Sequence, residues 1–159
     1  MAPWVDGLRR YGLDTRAIDL PRRRAEDAVP AFLGAVDPRA RLVLGGHSFG
    51  GRVASLAAAQ LLLDGRSVAG LVLLSYPLHR PGHPEGWQER TAHWPRLACP
   101  VLLLSGDADP FARPGLLAEA VRQLPSAELV TYPRLGHGLT PVLGDAVERA
   151  ASFIQSLGG

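Results

Sequence analysis

The chain has 159 residues, enough for one domain with a proper core and too few for two domains of ordinary size. Its composition, 47% hydrophobic and 20% charged, is that of a globular protein, and it holds no run of some 18 apolar residues that would span a bilayer. Its net charge of +2 argues against a nucleic-acid binder, and with no lysine anywhere it has no phosphate loop of the Walker type, which requires one.

All 17 basic residues are arginine, and asparagine is also absent, a pattern suggesting a GC-rich coding sequence of bacterial type. The lone cysteine, Cys99, has no internal partner for a disulfide, and the first residues lack the basic and apolar segments of a secretory signal. The expected location is therefore the cytoplasm, and the expected fold one domain over residues 1–159.

In chain order, Trp4, Val5, Leu8 and Tyr11 mark one face of an opening helix that Gly12 can end. Leu13–Leu20 reads as a strand closed by Pro21. Arg22-Arg23-Arg24, followed at once by Glu26 and Asp27, reads as a solvated turn rather than as a site for nucleic acid or an anionic partner. Ala28, Val29, Phe32, Leu33 and Val36 form the next helical stripe, with Pro30 near its start or kinking it. Arg41–Gly45 is a short apolar strand, and Phe49–Leu63 an Ala-rich helix. Two near-continuous apolar runs follow, Ala69–Ser75 and Val101–Ser105, as befits strands covered on both faces. Leu116, Leu117, Val121 and Leu124 pattern a helix before a last strand, Glu128–Tyr132. Thr140 is placed to cap a final helix with Pro141 in its first turn.

Strands alternating with helices imply an α/β fold: a doubly wound, mostly parallel sheet of about five strands with helices on both faces. Tyr76–Pro100 breaks the rhythm, being rich in Pro, Gly, His and Trp without a period. An excursion beyond a strand's C-terminal end overhangs the ligand crevice in such folds, and it is read as a short lid.

Gly46-His47-Ser48-Phe49-Gly50 places a serine directly between a strand and a helix. In the G-x-S-x-G pattern the serine occupies a tight turn across which side chains at the flanking glycine positions would collide. The dipole of the following helix favours negative charge developing there. Serine becomes a good nucleophile only beside a base that an acid orients. Both are supplied at later strand ends: Asp107 and Asp109 after the Val101–Ser105 strand, and His137, between glycines, after Glu128–Tyr132. Asp109 is preferred as the acid because Pro110 is expected to begin the following helix, which leaves Asp109 at the loop's turn toward the rim of the sheet. The backbone N–H of Phe49 is the candidate oxyanion donor. His47, Tyr76, Trp87 and Trp94 are candidate substrate-binding residues, lining or covering the pocket. His79, His83 and His93 are set among Pro81, Gly82 and Pro84, which prevent the helical spacing of a metal site, so no metal or other cofactor is expected.

On these motifs the chain resembles the dienelactone-hydrolase-related α/β-hydrolases, and within them the group of testis-expressed and KANL-type hydrolase-like proteins. The segments that carry the likeness are Gly45–Ser55, Ser75–Glu85, Gly106–Phe111 and Gly136-His137-Gly138. The resemblance implies Ser48 as nucleophile, Asp109 as acid, His137 as base and a cofactor-free hydrolase. In that family a strand and a His-Gly loop precede the first helix, and the loop gives a second oxyanion amide. This chain starts at the helix, which suggests a start recorded too late or a shortened form with weakened activity.

The expectation is hydrolysis of a small ester, thioester or lactone through an acyl-serine. The alternative is a silent hydrolase-like module that binds a partner or small ligand. Perhydrolase or haloperoxidase chemistry would use the same three residues. Neither nucleic acid nor membrane is expected as a partner, and the sequence leaves the oligomeric state open.

Overall fold

The apolar runs read as buried strands form a four-stranded parallel sheet in a computed structural model that describes residues 1–37 and 39–158. The strands are β1 (Val43–His47), β2 (Gly70–Leu74), β3 (Val101–Gly106) and β4 (Ala127–Tyr132), side by side in chain order. Register runs from Leu44 opposite Leu71 through Val72 opposite Leu102 to Leu104 opposite Val130.

Because side chains alternate along a strand, β2 and β3 feed two separate cores. Leu71, Leu73, Val101 and Leu103 point to one face, where they meet α2 (Ala25–Gly34), α3 (Phe49–Leu63) and α5 (Pro114–Val121). Val72, Leu74, Leu102 and Leu104 point to the other, against α1 (Ala2–Arg10) and α6 (Leu143–Ser156). A short α4 (Trp87–Thr91) lies in the excursion between β2 and β3. The fold is that of an α/β-hydrolase with helices on both faces of the sheet. No helix among the described residues is long and apolar enough to cross a membrane.

Two expectations need correction. Leu13–Leu20 is not a strand, so the sheet has four strands rather than five. The segment is irregular and lies against the α2–α3 core through Ile18 and Leu20. Its backbone is engaged elsewhere: Arg9 donates two hydrogen bonds to the Thr15 carbonyl, at 2.8 and 3.1 Å. Nor does Thr140 cap the last helix. Thr140–Val142 makes one turn of 3₁₀ helix and α6 begins after Val142, with no side-chain cap.

Candidate active site

The turn from β1 into α3 is strained where the sequence places the nucleophile. Ser48 has φ 52° and ψ −117°, a conformation costly for a side-chain-bearing residue. The surroundings hold it there: its N–H donates to Leu74 O at 2.8 Å, and its carbonyl accepts the first helical bond, from Arg52 N–H at 3.1 Å. A Cβ on Gly46 would stand 2.5 Å from the Gly50 carbonyl carbon, so strand and helix approach this closely only with glycine at that position. The N–H groups of Phe49 and Gly50 precede the helical ladder and are available to an anion beside Ser48.

The loops that carry Asp109 and His137 lie next to each other beyond β3 and β4. Ala108 N–H donates to Leu135 O at 2.9 Å and Asp107 N–H to Tyr132 O at 3.0 Å. A Cβ on Gly106 would fall 1.9 Å from Leu135 O, so these loops touch because that residue has no side chain.

Within this frame Ser48, His137 and Asp109 are linked in one chain. His137 Nε2 lies 2.7 Å from Ser48 Oγ. His137 Nδ1 lies 2.8 and 3.0 Å from the two Asp109 carboxylate oxygens. An ionised carboxylate only accepts hydrogen bonds, so the imidazole proton sits on Nδ1 and Nε2 is left to accept from the Ser48 hydroxyl. The Asp109 side chain is fully buried, and its Oδ1 also accepts from Phe111 N–H at 2.8 Å. The Phe111 ring packs 4.5 Å, centroid to centroid, from the His137 ring.

Asp107 takes a different part. Exposed, it accepts from the N–H of Arg134 at 2.6 Å and so closes the loop that carries His137. Arg134 has a positive φ of 58°, and this bond helps hold that turn.

The remaining sequence candidates are dispersed. His47 Nε2 lies 3.0 Å from the His137 carbonyl oxygen, so its imidazole donates to the backbone of the residue that faces Ser48. Tyr76, Trp87 and Trp94 are all buried. Tyr76 and Trp94 meet edge to face at 5.0 Å, and the Tyr76 hydroxyl donates to Arg90 O at 2.8 Å. None of the three lines the cavity at Ser48; they are the buried side chains by which the 76–100 excursion packs onto the core. Of the histidines in that excursion, His79 is buried with both ring nitrogens used, Nδ1–H donating to Arg80 O and Nε2 accepting from Arg113 N–H. His93 bonds the Ser55 hydroxyl at 2.8 Å. Cys99 is buried, and burial pushes its thiol up to about 11, away from reactive thiolate.

The feature that sequence reading missed is the wall of the cavity beside Ser48 and Phe49. Arginines from three segments line it, Arg23 and Arg24 among them, the run taken for a plain solvated turn. Only the unexplained run of like charge hinted at this; the convergence is a product of the fold.

The chain belongs to the alpha/beta hydrolase family: the family model described as an alpha/beta hydrolase domain matches residues 16–155. Among solved structures it is similar to a monoacylglycerol lipase of Paleococcus ferrophilus, at TM-score 0.77 and 16% identity, over 97% of this chain and 88% of that one. It is similar to a dienelactone hydrolase of Anabaena variabilis, at TM-score 0.65 and 21% identity, over 83% and 60% of the two chains. It is also similar to Est1E of Butyrivibrio proteoclasticus, described with ferulic acid bound, at TM-score 0.62 and 20% identity, over 83% of this chain and 66% of that one. At these identities the likeness is one of fold.

Proposed function

We propose that the protein is a serine hydrolase that cleaves a small carboxylic ester, thioester or lactone through an acyl-serine intermediate. The observation that carries this reading is the unbroken hydrogen-bond chain from Ser48 Oγ through His137 to buried Asp109. A structural serine has no need of a base at 2.7 Å whose tautomer is set by a carboxylate on its far side.

In this reaction the Ser48 oxygen attacks the acyl carbonyl while Nε2 of His137 takes the hydroxyl proton. The imidazolium so formed is stabilised by Asp109, which keeps its negative charge. The tetrahedral oxyanion faces the Phe49 N–H at the start of α3, where the helix dipole also favours negative charge. His137 then gives its proton to the leaving alcohol or thiol. Water, deprotonated by the same imidazole, releases the acid and restores Ser48.

The Ser75–Glu85 segment supports keeping the protein near the testis-expressed and KANL-type hydrolase-like group. The single cysteine supports a cytoplasmic setting. The reading is tested with a fluorophosphonate probe and short-chain 4-nitrophenyl esters on wild type and Ser48→Ala. Labelling and turnover that disappear in Ser48→Ala are expected. Equal ester turnover in both proteins, with no labelling of the wild type, would instead point to a silent binding module.

A further inference from the structure

The cavity at Ser48 and Phe49 has a volume of about 650 Å³, in the range of small-ligand sites. Such sites are mostly apolar with a few placed polar groups. Here the balance is reversed, for among the described residues Ala25, Phe49 and Pro77 are the only apolar side chains on its wall. Five arginines line it against three glutamates, and that surplus of two positive charges equals the formal net charge of the whole chain.

Arg52, in the first turn of α3, gives its backbone N–H to the Ser48 carbonyl and lines the same cavity as Ser48. Arg80 and Arg90 come from the opposite wall, in the 76–100 excursion. Arg52 and Arg90 are half-buried. Arg52 gives one N–H to Glu26 at 2.5 Å, while its buried Nε has no acceptor among the described residues. Arg90 gives one N–H to Pro77 O at 2.8 Å. Neither Arg80 nor Arg90 makes a salt bridge among the described residues. Burial, with Arg52 and Arg80 nearby, holds Arg90 below the usual arginine range, and Glu89 offsets part of this. Like charges gathered in a partly desolvated wall repel one another, and an anion seated between them relieves that repulsion. Arg23 and Arg24, exposed on the rim, extend the same field outward.

We propose that this cavity selects a short ester or thioester bearing a second, oxyanionic group, which Arg52, Arg80 and Arg90 hold while Ser48 attacks the carbonyl. This rests on the serine-hydrolase reading and adds the substrate class. One helical turn, about 5.4 Å, separates Ser48 from Arg52, a span that suits a carboxylate or phosphate some four to six bonds from the reacting carbonyl, at about 1.5 Å per bond. Planar guanidinium groups suit either oxyanion.

The test uses two ester pairs matched in size. 4-Nitrophenyl hemiglutarate against 4-nitrophenyl pentanoate places the charge on the acyl part. 4-Acetoxybenzoate against 4-acetoxybenzamide places it on the leaving group. In at least one pair the anionic member is expected to have a kcat/KM higher by about tenfold or more. That ratio is expected to shrink in Arg90→Gln, in Arg52→Gln and at raised salt. Arg80→Gln, at an exposed position, gives the same readout where either of the others fails to fold. A ratio at or below one in both pairs, or one unchanged in every folded variant, overturns the proposal.

Calorimetric titration of Ser48→Ala with glutarate separates the two readings. Glutarate binding that weakens in the arginine variants supports the anion site even if no ester is turned over, in which case the hydrolase reading alone fails. No glutarate binding, together with ester hydrolysis that ignores charge, removes the anion site and leaves the hydrolase.

Discussion

The imidazole of His47 hydrogen-bonds the backbone carbonyl of His137 at 3.0 Å, so the residue before the nucleophile holds the residue that faces it. The two rings lie 5.2 Å apart, centroid to centroid, and tilted, which leaves the His137 ring free to bond Ser48 and Asp109. His47 touches none of the reacting atoms and is a positioning residue. His47→Ala is expected to lower kcat by about 10- to 100-fold with little change in KM. His47→Gln, whose amide still offers an N–H, recovers part of the loss. An unchanged kcat in His47→Ala would remove this role.

Asp109 and Asp107 part company on the same principle. Asp109 is buried on the imidazole, and Asp109→Asn, which presents an uncharged amide there, is expected to cut kcat by about 10⁴-fold. Asp107 holds a loop N–H instead, and asparagine keeps an oxygen to accept it. Asp107→Asn is therefore expected to stay within about tenfold of wild type, a contrast read by steady-state kinetics on one ester.

Gly106 is where the acid and base loops meet. A methyl group there would press on Leu135 O at 1.9 Å and Gly136 O at 2.5 Å, both backbone atoms. Gly106→Ala is expected to lose about 1–3 kcal/mol in thermal or urea denaturation and to lose most turnover as well, because His137 must move with its loop. Retained turnover at wild-type level would mean the loops separate without carrying His137 away.

His93 gives the fold an acid-sensitive point. Burial, together with Arg52 and Arg96, holds its imidazole down to about 4, with Glu26 opposing weakly. The unfolded chain takes up that proton near 6.5, so between these values it binds more protons than the native state. Stability is therefore expected to fall as pH drops from about 6.5 to about 4, by on the order of 3 kcal/mol for this group. Above 6.5 both states are neutral and the dependence vanishes. Urea titrations across this range should show a flatter pH dependence in His93→Gln, whatever that variant's stability at neutral pH.

That Ser48, Asp109 and His137 would gather at one end of the sheet was legible because each is announced locally, by a short motif at the end of an apolar run. Ser48 sits among glycines, Asp109 before a proline and His137 between two glycines. The strands were legible because residues buried on both faces leave few polar interruptions. The Leu13–Leu20 segment misled for a physical reason. Its apolar residues do turn to the core, as Ile18 and Leu20 show, yet its backbone forms no ladder with the edge strand β1, and the Thr15 carbonyl is taken by Arg9 instead. Trp87 and Trp94 misled because a tryptophan in an aperiodic stretch carries no sign of which side is solvent. The arginine wall was illegible because Arg24, Arg52, Arg80 and Arg90 are far apart in the chain, and only folding reveals that they share a space.

The strand tips divide the labour. β1, β3 and β4 each deliver one member of the relay, while the chain leaving β2 delivers none and instead builds a wall with Pro77, Arg80 and Arg90. In the proposed reading two of the three anion-holding arginines thus hang from a different strand than the reacting groups, and Arg52 alone shares the β1–α3 element with Ser48. Rewriting the insert after β2 is a route to new selectivity that leaves the reacting atoms undisturbed, which makes this segment the natural cassette for redesign.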